Sequence, residues 1–160
     1  MKLIHIVGRK NHGKTTLIVE LVRELTQQGI AVGTIKHSGH AHELDAPGKD
    51  SYRHRQAGAS PAAIVTEQLI GLYLPRRAET DPYALLAPLF SPCGIVLVEG
   101  DLDGRGAKVE VWRKSAGGEC LASARQDIRC VVTDDPLDPN VPVLPRSDVR
   151  ALSRHLLTLV

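Results

Sequence analysis

Leu3-Ile4-His5-Ile6-Val7-Gly8-Arg9-Lys10-Asn11-His12-Gly13-Lys14-Thr15-Thr16 sets an apolar run of strand length directly against G-x-x-x-x-G-K-T. That is the spacing of a phosphate-binding loop. Glycines at both ends let the backbone turn tightly, so that successive N–H groups point inward at phosphate oxygens. Lys14 is placed to reach the β- and γ-phosphates, and the Thr15 hydroxyl to join the shell of a Mg²⁺ ion. The next residues supply the rest of the context. Leu17, Ile18, Leu21, Val22 and Leu25 recur at helical spacing, while Glu20, Arg23, Glu24 and Gln27 fill the other face. A helix therefore starts at the loop, adds the positive end of its dipole to the same anion site, and stops at Gly29. Gly8, Asn11, His12, Gly13, Lys14, Thr15 and Thr16 are the candidate nucleotide-binding residues.

Outward from this stretch, Ala31 to Lys36 reads as a second strand, followed by a polar surface loop from His37 to Asp50. Asp50 or Ser51 is placed to cap a short helix ending at Gly58. Ala62 to Thr66 and Leu69 to Leu74 read as two strands joined by a tight turn, and Asp81 to Phe90 as a helix. Gly94-Ile95-Val96-Leu97-Val98-Glu99 is apolar on both faces, as in a buried parallel strand. Val109 to Arg113 alternates and is expected at a sheet edge. Ile128 to Thr133 is a further strand, and the tail from Asp148 is an amphipathic helix capped by Ser147 or Asp148. Strand alternating with helix after a phosphate loop predicts an α/β, P-loop NTPase sandwich, with a largely parallel central sheet flanked by helices. Its ligands are then expected at the carboxyl ends of the strands.

The chain of 160 residues fits a single domain, residues 1–160, and its 42% hydrophobic content is ordinary for a globular protein. A net charge of +2 without like-charge blocks, and 3% aromatics, argue against a nucleic-acid groove. No apolar run approaches the roughly 20 residues needed to span a bilayer. The chain opens on a strand rather than a leader, so a cytoplasmic location is expected. Cys93, Cys120 and Cys130 lie far apart and outside any C-x-x-C, so they are expected as free thiols.

A phosphate loop needs an acid on a neighbouring strand to complete the metal side. Glu99, ending a run of four apolar residues, is the candidate for that role; Asp101 and Asp103 are close enough to share or replace it. Loops after the second strand of such folds order around phosphate and metal, so Glu43, Asp45 and Asp50 are candidates to position metal or water. Lys36, Lys49, Arg53 and Arg55 are candidate phosphate contacts. His37, His40 and His42, with His12 and His54, admit either phosphate-contacting or structural roles, or a transition-metal site. For the base, guanine offers N1–H and a 2-amino group as adjacent donors. Asp134, directly after a late strand, is the candidate acceptor, although it lacks an Asn-Lys-x-Asp context and also fits a turn before Pro136.

Gly8 to Leu17, Ile35-Lys36-His37-Ser38, His42-Glu43-Leu44-Asp45, Pro47-Gly48-Lys49-Asp50-Ser51, Leu97-Val98-Glu99-Gly100 and Lys108 to Arg113 together resemble the molybdopterin-guanine dinucleotide biosynthesis protein B family. The resemblance covers nearly the whole chain, and the Lys36 to Ala59 segment makes it specific. It implies a GTP-binding, Mg²⁺-dependent, weakly hydrolysing and commonly dimeric protein. Its role would be to assist the guanylyltransferase that attaches GMP to the molybdenum cofactor, with molybdopterin as a further candidate ligand. By position, Lys14 and Glu99 would serve the hydrolytic chemistry, and Thr15 and Glu99 the metal. His12 stands where the family usually has a small residue. No residue stands out as orienting the attacking water, which fits slow hydrolysis. Two other readings of the same loop are a metal-insertion GTPase using the His37 to His42 segment and a small-molecule kinase.

Overall fold

The computed structural model describes residues 1–41 and 43–160, which fall into two compact units, Met1–Gly39 with Ala87–Val160, and His40–Leu86. The larger unit is built on a six-stranded sheet. In chain order its strands are β1 (Leu3–Val7), β2 (Val32–Lys36), β5 (Ile95–Glu99), β6 (Ala107–Val111), β7 (Ile128–Val132) and β8 (Val143–Leu144). Their order in the sheet is β2-β5-β1-β6-β7-β8, and every neighbouring pair is parallel. All strands therefore end on the same side, and the phosphate loop leaves the sheet from β1 with β5 on one flank and β6 on the other.

One face of the sheet is covered by α1 (Lys14–Gln27) and α4 (Val149–Leu157). Leu17, Ile18, Leu21 and Leu25 of α1 and Leu152 and Leu156 of α4 pack on Ile4, Ile6, Ile95, Leu97, Val109, Val111, Cys130 and Val132. Leu21 and Leu25 are fully buried, each such side chain stabilising the fold by roughly 1.5–3 kcal/mol relative to exposure. Asp148 caps α4 by accepting from Ala151 N at 2.9 Å. The opposite face carries a smaller core, in which Val7, Ile128 and Val131 meet Cys120 and Ala122 around a 3-10 turn, Leu121–Ser123.

The second unit contains α2 (Asp50–Gln56), an antiparallel hairpin of β3 (Ala62–Val65) and β4 (Ile70–Tyr73), and α3 (Pro82–Leu86). Neither Asp50 nor Ser51 caps α2 with its side chain; the Ser51 hydroxyl instead donates to Asp45 Oδ1 at 3.1 Å. α3 is shorter than the expected Asp81 to Phe90. Asp81 accepts from Tyr83 N at its start, and Pro88 disfavours helical geometry at the residue before it.

The expected edge position of Val109 to Arg113 is corrected: β6 lies inside the sheet between β1 and β7. Its alternation is real, but its polar residues do not meet solvent. Lys108 donates to the Gly104 carbonyl at 2.7 Å and pairs with Asp127 at 3.0 Å. Fully buried Glu110 accepts from Leu121 N and Ala122 N, both at 2.8 Å, and from Cys120 Sγ at 3.1 Å. Partnered polar groups can occupy a strand interior that a periodicity argument assigns to water.

Candidate functional site

The loop between β1 and α1 has the geometry its residue types predict. Gly13 takes φ +92° and Gly8 φ +135°, and a β-carbon on Gly8 would collide with the Val111 carbonyl. Asn11, one of two non-glycine residues at positive φ among the described residues, stands at +67°, a conformation its short polar side chain tolerates. Thr15 and Lys14 open α1, so the unpaired N–H groups of the first helical turn face the loop.

Side chains converge on this end of the sheet. Thr15 Oγ1 donates to Glu99 Oε1 at 2.8 Å, and Lys36 Nζ lies 3.3 Å from the same oxygen. The convergence follows from the sheet: Lys36 and Glu99 are register partners at the ends of β2 and β5. Lys14 Nζ donates to the Arg9 carbonyl at 2.7 Å, folding back over the loop. Burial lowers the Lys14 pKa from the ordinary lysine value, only partly offset by the negative charge of Glu99 and reinforced by Lys36. A partly desolvated ammonium of this kind gains from an anion brought against it.

A hydroxyl and a carboxylate at hydrogen-bond distance at the start of α1 are hard oxygen donors of the type Mg²⁺ takes, and the Lys36 ammonium already places positive charge against that carboxylate. The donor set therefore fits the cation. Thr15 and Glu99 would hold it, and Asp101 would lie on the adjoining turn, with His37 Nδ1 4.0 Å from its carboxylate. Asp103 is turned away, paired with Arg125 at 2.9 Å.

His12 is buried in the wall of the loop. Its Nδ1 accepts from Arg113 N at 3.1 Å, and its Nε2 donates to the Gly117 carbonyl at 3.1 Å, the tautomer these two partners require. Arg9 Nε donates to the Glu119 carbonyl and Trp112 Nε1 to the Gly118 carbonyl. The 117–119 segment is thus clasped against the loop, and Glu110 anchors the residues that follow it. Beside it, on the β6 to β8 flank, a cavity of about 290 Å³ is lined by His12, Trp112, Arg113, Asp134, Asp135 and Arg146, among others. Asp134 Oδ1 accepts from Ser147 N and Oγ, both at 3.0 Å; bonding to Ser147, chiefly its backbone N–H, lowers the Asp134 pKa. Asp135 accepts from Lys114 N at 2.8 Å. A larger open groove of about 530 Å³ lies at the far end of α1, by Glu24, Gln28 and Arg154, away from these groups.

A family profile described as molybdopterin guanine dinucleotide synthesis protein B matches residues 3–134. The chain belongs to that family. It is 37% identical over 146 residues to the molybdopterin-guanine dinucleotide biosynthesis adapter protein of Escherichia coli, across 88% of this chain and 83% of that one. A Haemophilus influenzae adapter protein is 41% identical over 66 residues, 41% of this chain and 37% of its own. The crystal structure of a MobB homologue from Bacillus stearothermophilus aligns with TM-score 0.69 at 29% identity, covering 99% of each chain. Bacillus subtilis MobB, at 24% identity, shares the fold with TM-score 0.76, over 100% of this chain and 99% of that one. The fold is the P-loop NTPase fold of these MobB structures.

The family's segment after β2 divides between the two units. His37 belongs to the larger one; His42 lies outside the described residues. In the smaller unit, Glu43 accepts from Arg55 at 2.7 Å and from the Leu44 and Asp45 amides, and Asp45 accepts from Ser51 and Tyr73. Hydrogen bonding to Arg55 is the main reason the Glu43 pKa is lowered. These acids, proposed from sequence for metal or water, are engaged in bonds that shape their own loop. Among the described residues no group of three or more histidines, cysteines or acids is spaced to hold a metal ion. Two residues that the sequence argument passed over are the engaged core acid Glu110 and Arg113. The only signal for Arg113 was a cation placed directly after an apolar strand, at its carboxyl end.

Proposed function

We propose that this member of the family binds GTP with Mg²⁺ in the loop from Gly8 to Thr16 and acts as an accessory to the guanylyltransferase that joins GMP to molybdopterin. The observation that carries the reading is the convergence of Thr15, Glu99 and Lys36 on one point beside Lys14 at the start of α1. Backbone N–H groups of Gly13 to Thr16 and the Lys14 ammonium hold the phosphate oxygens, and Lys14 and the amides stabilise charge as water attacks the γ-phosphorus and GDP leaves with the bridging oxygen. Mg²⁺, if held by Thr15 and Glu99, would supply positive charge against the negative charge of the phosphates. Asp134 and Asp135 supply acceptors of the kind guanine's N1–H and 2-amino donors require, with Asp134 as the assigned acid. Hydrolysis is weak in this reading, as the resemblance to the family implies, and rests on the charge stabilisation by Lys14 and the loop amides.

A second copy of the chain completes the reading. β3 and β4 form a two-stranded sheet with Val65, Leu69, Ile70 and Leu72 exposed. Such a hairpin is marginal alone, and its open strand edges and apolar side chains favour pairing. The accessory role is tested by adding the chain to guanylyltransferase supplied with molybdopterin and Mg-GTP. The wild-type chain raises the yield of the dinucleotide cofactor and Lys14→Ala does not; equal yields with the two proteins would contradict the reading.

A further inference from the structure

Arg113 follows β6 directly, and its main-chain N–H is pinned to the phosphate loop by the bond to His12 Nδ1. Its guanidinium then lies over the loop: a β-carbon on Gly13 would stand 2.9 Å from Arg113 Nη2. Four neighbouring cations have partners of their own, Lys14 the Arg9 carbonyl, Arg9 the Glu119 carbonyl, Lys36 Glu99, and Arg146 Glu20 at 2.7 Å. The Arg113 guanidinium makes no hydrogen bond or ion pair among the described residues. It also lines the 290 Å³ cavity with Trp112, Asp134 and Asp135. A planar cation with open donors, held between an anion-binding loop and a cavity of about nucleoside size, has the form of a phosphate clamp.

The sheet decides which phosphate it serves. β1 lies between β5, which carries Glu99, and β6, which leads to Arg113, so the guanidinium approaches from the flank opposite the Thr15–Glu99 pair. We propose that Arg113 binds the nucleotide on its nucleoside side, through the α-phosphate, and sets affinity for guanine nucleotides rather than acting on the γ-phosphate. This rests on the GTP-binding reading above and adds to it a second cation with a different place.

The test measures Mg-GTP and GDP affinity of the full chain and of Arg113→Gln and Arg113→Lys, with the melting temperature of each nucleotide-free protein. Arg113→Gln weakens GTP and GDP alike, by about tenfold, as expected for a lost charge-assisted hydrogen bond. Arg113→Lys recovers part of the loss by returning the charge without the fork, and both variants melt as the wild type does. Unchanged affinity overturns the proposal, as does a loss confined to GTP, which would place the guanidinium on the γ-phosphate, or a fall in melting temperature that accompanies the loss. Failure of the wild-type chain to bind either nucleotide would instead overturn the GTP-binding reading itself.

Discussion

Glu99 illustrates how much a single side chain at a strand end can be asked to do. It accepts from the Thr15 hydroxyl and faces the Lys36 ammonium, so its charge is already compensated before any metal arrives. Replacing it by glutamine keeps the shape and removes the charge that favours a hard cation. Glu99→Gln is expected to retain nucleotide binding while losing most of its dependence on Mg²⁺, measured as the ratio of affinities with the metal and with chelator. An unaltered ratio would move the metal-side acid elsewhere, to Asp101 first. His12 works in the other direction. It spends both ring nitrogens on main-chain groups, and so braces the loop it belongs to.

At the scale of elements, β6 carries the lesson. Lys108 is buried against Asp127, which also takes a two-pronged contact from Arg125. Those hydrogen bonds, Arg125 first and Lys108 next, hold the Asp127 carboxyl well below the usual carboxylate range. Its unfolded value is about 3.9, so the stability it contributes is present above about pH 4 and is lost as pH falls through the depressed folded value. Asp127→Asn is expected to melt lower than wild type at neutral pH, by about 1 kcal/mol of stability after solvent screening of a half-exposed group. The gap should close on acidification; a gap independent of pH would contradict the account. This is also where legibility in the sequence ended. The strands β1, β5 and β7, the two long helices and a cap at Ser147 or Asp148 were readable, because apolar runs, helical spacing and capping chemistry are local signals. The interior place of β6 was not, since Lys108 and Glu110 find partners about 20 and 10 residues further on. β8 is two residues long and too short to carry a pattern. The pairing of Thr15 with Glu99 was readable in kind from the loop motif. The approach of Arg113 to Gly13 was not, because it depends on which strand lies beside β1.

For the whole molecule, the exposed apolar hairpin and the phosphate loop make separate demands. The hairpin predicts self-association: Ile70→Asp with Leu72→Asp should convert a dimer into a monomer by sedimentation, while a monomeric wild type, or a variant that stays dimeric, would contradict it. The loop predicts a ligand. Family membership places the chain among molybdopterin-guanine dinucleotide biosynthesis adapter proteins, and guanine nucleotide binding is the proposed physical basis of that role. Calorimetric titration of Mg-GTP into the full chain, beside Mg-ATP and the Lys14→Ala variant, tests this most directly. The account predicts one GTP per chain, weaker binding of ATP, and a loss of at least about tenfold in GTP affinity when the Lys14 charge is removed. GTP binding that Lys14→Ala leaves intact, or no binding by the wild-type chain, would contradict it.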